Sequence, residues 1–300
     1  MGRGDPDFDT PAHVVTAARQ AMADHRSDFS PPEGLLALRE AISARVRRYN
    51  QIEVDPETEV VVTNGGQEAL FLMVLTAIAE GEGLLVLEPN YNTYNDALRF
   101  ARGVKIGVRT SVEDNFRVSA AAIEAAITPT ARAMLLVSPN NPSAGMIGRK
   151  DQEELVALAQ EHDLIILADD IYDLFVYDEF AHVSTAATAG AHERTMTLNA
   201  LSKSFAMTGW RLGGWPGAID GTGAQVQGGD LGAGFDRRST CRARRADRAR
   251  RAGARHTRDV HAMRRRRIAL EALDSMGIPY GVPQDGQFVF ANISHTGQLA

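Results

Sequence analysis

The sequence predicts an α/β protein of three layers, a mostly parallel sheet with helices on both faces. Three observations predict it. Short runs of consecutive apolar residues recur up to Leu198, as strands buried on both faces require. Stretches of helical periodicity separate these runs, which is the strand–helix alternation of a doubly covered sheet. Four of the strands run directly into polar or glycine-rich turns, at the carboxyl edge where such sheets bind ligands.

In order, Gly4-Asp5-Pro6-Asp7-Phe8-Asp9 is turn chemistry leading into a helix, with Thr10 as N-cap and Pro11 at the first helical position. Phe29-Ser30-Pro31-Pro32-Glu33-Gly34 breaks the chain. Leu35, Leu38, Ile42 and Val46 then recur at helical spacing, with Arg39, Arg45 and Arg47 off that stripe. Val60–Thr63 is a strand, and Asn64-Gly65-Gly66 turns it into a helix over Gln67–Glu80. Leu84–Leu87 is a strand ending at Glu88-Pro89, Tyr91–Ala101 a helix, Val104–Val108 a strand and Ala120–Ile127 a short alanine-rich helix. Ala133–Val137 is a strand stopped by Ser138-Pro139-Asn140-Asn141-Pro142. Asp151–Glu161 is a helix, Leu164–Leu167 a strand entering Ala168-Asp169-Asp170-Ile171-Tyr172, and Thr195–Leu198 a strand ahead of Ser202-Lys203-Ser204.

Composition bounds the function. Apolar residues at 44% and charged residues at 23% give a soluble globular profile. A net charge of −6 argues against a dedicated nucleic-acid binder. The single cysteine, Cys241, excludes an internal disulfide framework and fits a reducing compartment. No apolar run reaches membrane-spanning length, and Met1–Asp5 lacks a signal-peptide core. The expectation is a cytoplasmic protein without membrane contact. The eight histidines have no metal-ligand spacing, so no metal is expected and they read as surface residues.

The chemistry gathers at the strand ends. A lysine at the mouth of a strand, Lys203, loses its proton if desolvated and then attacks a carbonyl to form a Schiff base. Arg211, eight residues on, offers a planar fork for phosphate or carboxylate. Gly66 and Gln67 at a helix start present bare N–H groups as an anion cradle, or form an ordinary glycine turn. Asp169 leaves an apolar strand as a partly desolvated carboxylate that needs a positive group opposite, or it is a helix cap. Tyr172 reaches the same ligand or packs, and Tyr91 offers a stacking face or belongs to the core. Asn141 is a turn residue whose amide is able to donate to a ligand oxygen. One ligand satisfies them all: a phosphate, an aromatic ring with a basic nitrogen, a ring hydroxyl and an aldehyde, which is pyridoxal phosphate.

Ser202-Lys203-Ser204-Phe205-Ala206-Met207-Thr208-Gly209-Trp210-Arg211-Leu212-Gly213 resembles the lysine signature of class I/II aminotransferases, the fold-type-I enzymes around aspartate aminotransferase. Asn140-Asn141-Pro142, Asp169-Asp170-Ile171-Tyr172 and Gly4-Asp5-Pro6-Asp7-Phe8 match that family in the same order. The resemblance implies that Lys203 forms the aldimine and moves the proton, and that Asp169 keeps the ring nitrogen protonated. It implies Tyr172 and Asn141 as donors to the ring oxygen and Tyr91 as the stacking aromatic. Gly66, Gln67 and Arg211 correspond to the phosphate site, with Ser202 adjacent. The implied reaction is amino transfer between an L-amino acid and a 2-oxo acid by a cytoplasmic homodimer. The residues leave open a lyase or decarboxylase of the same fold, a cofactor-binding sensor and an inactive remnant.

The resemblance also implies a division of the chain. Residues 1–30 belong to a small domain, 31–258 form the large cofactor-binding domain, and 259–300 begin a truncated α+β small domain that stops at Ala300. Ala200 stands where the family usually has a phosphate-binding Ser or Thr, and Phe29 where a neighbouring subunit's tyrosine usually donates. Losing two hydroxyl donors weakens cofactor affinity by about 1 kcal/mol each, with Ser202 or water left to substitute. Ser143-Ala144-Gly145 replaces the usual Thr-Gly. Residues 217–258 depart altogether: eight arginines and no lysine fall within 237–251, and no Leu, Ile, Val or Met lies between Leu231 and Val260. A helix there has no apolar face to dock. The stretch reads as a basic arm or, preferably, as out-of-frame translation with the frame restored near His256.

Overall fold

The computed structural model describes residues 4–26, 29–177, 181–216, 248–284 and 288–292, with the backbone alone at 215–216 and 248–261. The Arg-rich stretch to residue 247, Cys241, Gly286-Gln287 and the chain end at Ala300 lie outside the described residues.

Strand–helix alternation holds from Val60 to Asp169. α1 (Ala12–Ala23) and α2 (Leu36–Tyr49) precede β1 (Val60–Thr63), α3 (Gly66–Ala77), β2 (Gly83–Glu88), α4 (Thr93–Phe100) and β3 (Val104–Arg109). Then come α5 (Ala120–Glu124), β4 (Ala131–Val137), α6 (Arg149–Glu161), β5 (Ile165–Asp169), β6 (Thr195–Ala200), the single turn α7 (Leu201–Ser204), β7 (Gly213–Pro216) and the long α8 (Arg248–Ser275). Among the described residues no helix is long and apolar enough to cross a membrane.

Seven strands form one sheet in the order β1-β7-β6-β5-β4-β2-β3. The four pairings from β3 to β6 are parallel, and β7 runs antiparallel to both β6 and β1. The register aligns Val137 with Asp169 and Asp169 with Leu198, so β4 and β5 end level and β6 runs two residues further.

Both faces of the sheet are apolar, which is why its strands read as unbroken runs. Leu84 and Val86 point to one side, with Leu72, Met73, Leu135, Leu167 and Met196. Leu85 and Leu87 point to the other, with Ile123, Met134, Leu136, Leu155 and Ile166. Each fully buried leucine or methionine contributes about 1.5–3 kcal/mol, so the two layers fix the strand ends rigidly.

The structure corrects three local expectations. Pro11, not Thr10, is the N-cap of α1; the Thr10 hydroxyl donates instead to the Ala206 carbonyl at 2.6 Å, pinning the N-terminal segment beside the lysine turn. α3 stops at Ala77 rather than Glu80, where Ile78 turns extended. Arg39 and Arg45, off the apolar stripe of α2, are nevertheless held within the fold. Arg39 is buried, donating to the Gly34, Pro56 and Glu57 carbonyls, and Arg45 pairs with buried Asp173. His182 is likewise buried, 3.3 Å from Asp170 Oδ2. Burial pulls its imidazole down, but the Asp170 and Asp173 carboxylates reverse this and the net direction is up.

Candidate active site

β1 ends in Asn64-Gly65, and α3 begins directly at Gly66. Gly65 adopts φ +86°, a backbone angle that L side chains rarely take. No side chain caps α3: the Glu68 carboxylate accepts the N–H of Asn64, outside the helix, and the first-turn N–H groups of Gly66 and Gln67 have no intrahelical acceptor. Arg211, itself at φ +54°, lays its guanidinium against Gly65, where any β-carbon would run into it. Its Nη1 donates to the Thr208 carbonyl at 2.9 Å and its Nη2 to the Asn64 carbonyl at 3.2 Å. Helix terminus and guanidinium thus bring positive potential to one spot.

Gly213 makes that approach possible. A β-carbon there would lie 2.7 Å from the Gly65 carbonyl carbon and 2.8 Å from the Gly66 nitrogen, both backbone atoms that must shift as a unit. Gly213→Ala is expected to cost about 1–3 kcal/mol, the range for overpacking, and to loosen phosphate binding. The denaturation midpoint and the phosphate dissociation constant check the two halves.

Lys203 sits on α7, one turn beyond β6. Its Nζ donates to the Gly4 carbonyl, so the N-terminal segment lies over the lysine. Burial lowers the ammonium's pKa, the Arg211 charge adds to the fall, and Asp5 opposes it. Ser202 and Ala200 are buried beside it. A β-carbon on Gly66 would meet Ala200, Ile171 and Leu198 at ordinary contact, which joins the β1, β5 and β6 ends.

Asp169 closes β5 and is buried. Its partners among the described residues are neutral rather than the expected positive group: the Tyr94 hydroxyl donates to Oδ2 at 2.8 Å and the Ile171 N–H to Oδ1 at 3.1 Å. Burial pushes its carboxyl up to about 6, the two donors hold it down, and Asp170 adds to the rise. Tyr172 is buried with Phe175 and Phe288 edge-on, each 6.1 Å away. Burial first, then Asp169 and Tyr91, raise its phenol.

Tyr91 is partly exposed and accepts from Gln67 Nε2 at 3.3 Å. It meets Tyr94 edge-on at 5.7 Å. Asn141 follows β4 on the same edge but makes no hydrogen bond to this cluster among the described residues. Its neighbour Asn140 organises the turn, accepting from the Ser143 hydroxyl at 3.0 Å.

Sequence reading missed Tyr94, the only side chain bonded to Asp169 among the described residues. The signal was present: Tyr91 and Tyr94 are three apart at a helix start and face the same way. Tyr94→Phe removes a charged-group hydrogen bond of about 1.5–3 kcal/mol, so the Asp169 carboxyl should titrate higher by about one to two units. Carbon-13 NMR of the labelled carboxyl reads this directly.

The sheet order, with a lysine on the turn just beyond the sixth strand, defines a large α/β protein whose candidate site lies at the carboxyl edge of the sheet. Comparison with known proteins narrows that class. The model for aminotransferase class I and II matches residues 1–218, and the chain belongs to that family. It is 35% identical over 302 aligned residues to aromatic-amino-acid aminotransferase 2 of Thermococcus litoralis, covering 99% of this chain and 77% of the relative. The crystal structure of an aromatic aminotransferase from Pyrococcus horikoshii OT3 superposes with TM-score 0.92 at 34% identity, over 99% of this chain and 80% of that one. A single mutant of Thermus thermophilus aspartate aminotransferase gives 0.90 at 35% identity, over 97% and 76%. The protein is therefore a transaminase of fold type I, a family whose chemistry depends on pyridoxal phosphate.

Proposed function

We propose that this chain itself binds pyridoxal phosphate at the carboxyl edge of the sheet and moves an amino group between an L-amino acid and a 2-oxo acid. The observation that carries the reading is Lys203, a desolvated amine held within the field of the Arg211 guanidinium at the α3 terminus. The donor set fits: the Gly66 and Gln67 N–H groups and Arg211 take the phosphate, and Ser202 supplies the hydroxyl that Ala200 lacks. Asp169 would hold the ring nitrogen, Tyr172 and Asn141 would donate to the ring oxygen, and Tyr91 would stack on the ring. When bound, the cofactor supplies an electron sink for the substrate's α-carbon. The protein's part is to hold the phosphate, keep a proton at the ring nitrogen through Asp169 Oδ2 or Oδ1, and carry a proton on Lys203 Nζ.

Family membership favours the transaminase over the lyase and sensor alternatives. L-Aspartate and an aromatic amino acid, named in the relatives, are the first substrates to try. We also propose a homodimer, a large domain over 31–258 flanked by the small-domain segments 1–30 and 259–300, and a shifted reading frame within 217–258. The family match ending at residue 218 supports the last, and resequencing the gene decides it. For the site, the purified protein is mixed with pyridoxal phosphate, scanned for a visible lysine–cofactor band, and given amino acid and 2-oxoglutarate. A band without any new amino acid product refutes the reaction; no band refutes the site.

A further inference from the structure

The two loops that carry Asp169 and Lys203 are tied together from behind by a buried polar hub. The Asp173 side chain is 1% exposed. Its Oδ2 accepts from Arg45 Nη2 at 2.8 Å, from Asn50 Nδ2 at 3.1 Å and from Asn199 Nδ2 at 3.1 Å, while Arg45 Nη2 also reaches Oδ1 at 3.1 Å. Asn199 Nδ2 donates in addition to the Asp170 carbonyl at 3.3 Å. Asp173 directly follows Tyr172 and stands four residues after Asp169; Asn199 stands four residues before Lys203.

The β5–β6 ladder ends with Asp169 opposite Leu198, extended by the Asp170 N–H to the Leu198 carbonyl at 2.9 Å. Past that point the chains diverge, one into the Tyr172 turn and the other into α7. The Asn199 amide hydrogen-bonds across them. It is held by a carboxylate whose charge is already balanced by Arg45 from α2, so the amide is not needed to neutralise Asp173. It is placed to set a distance.

We propose that Asn199, anchored by Asp173, is a positioning residue for the transamination site: it fixes the spacing between Lys203 and the Asp169–Tyr172 turn. The inference rests on the pyridoxal phosphate reading above. A ring gripped covalently at one loop and by charge at the other is sensitive to their separation, and a shift near 1 Å costs on the order of 10²-fold in rate.

Asn199→Ala in the cofactor-loaded enzyme cuts the bridge and leaves the Arg45–Asp173–Asn50 cluster in place. The expected result is a lysine–cofactor band that still forms but loses at least about half of its visible circular dichroism, with kcat down roughly 10- to 100-fold and KM within about threefold. Asn199→Ser, a smaller change that keeps a donor, should fall between and covers the case of an Ala variant that does not fold. Wild-type dichroism and kcat in both variants overturn the inference. So does a lowered melting temperature with an unchanged cofactor signal, which marks Asn199 as structural only. A wild-type protein that forms no band overturns the pocket reading, and this inference falls with it; a wild-type band with unaltered variants overturns this inference alone.

Discussion

Lys203→Ala is expected to abolish the visible band formed with pyridoxal phosphate and to lower transamination by at least about 10⁴-fold. Two physical roles are lost at once. In the proposed site Nζ serves as the carbonyl-reactive amine, and burial together with Arg211 lowers its pKa and enlarges its unprotonated fraction. The proposed function also makes it the proton carrier, and a positioned acid–base group alone contributes about 10²–10⁴. Lys203→Arg separates charge from nucleophilicity. The guanidinium keeps the positive charge but stays protonated, so it should be as inactive as alanine while still retaining phosphate affinity. Borohydride reduction followed by peptide mass spectrometry locates the link. An undiminished band in Lys203→Ala would assign the covalent chemistry to another amine. The same substitution removes the donor to the Gly4 carbonyl, so faster hydrogen exchange is expected in residues 4–10 of the cofactor-free variant.

What the sequence disclosed follows from how local each signal is. β2, β4, β5 and β6 were legible because both faces of the sheet are covered, and a short unbroken apolar run between turns fits a strand buried on both sides. β7 was not, because Gly213-Gly214-Trp215-Pro216 contains no such run. Its two glycines are there so that the backbone can close on Gly65, Gly66 and the Val61 carbonyl. The anchoring of Arg39 and Arg45 was not legible because their partners lie elsewhere in the chain: the Pro56 and Glu57 carbonyls for one, Asp173 for the other. Lys203, Arg211, Gly66 and Asp169 were legible as a set since all lie on turns that follow strands, and sheet topology brings such turns to one edge. Tyr94, Asn199 and His182 act through contacts that only the fold creates.

Asp169→Asn is expected to make the cofactor-free protein more stable and the loaded enzyme far less active. The carboxyl titrates near 3.8 in an unfolded chain and is pushed up to about 6 in the fold, chiefly by burial. Between those values the native state holds more protons than the unfolded state, so stability falls as pH rises from about 4 to about 6 and the full cost persists above that window. A shift of this size corresponds to about 3 kcal/mol. Asparagine carries no charge to desolvate, keeps an acceptor for the Ile171 N–H, and offers an amide to the Tyr94 oxygen. Cofactor-free Asp169→Asn should therefore melt several degrees above wild type at pH 8 and level with it at pH 4, a comparison thermal denaturation makes directly. Adding pyridoxal phosphate should narrow or reverse the gap, because the wild-type carboxylate then faces a protonated ring nitrogen and its burial is no longer uncompensated. Loss of that fixed charge should lower kcat by on the order of 10²–10³. Equal melting temperatures at pH 8 would mean that the carboxyl is not held up by burial. A carboxylate that weakens its own fold when the pocket lacks cofactor, and is stabilised by a cation placed opposite, has its position set by function rather than by packing.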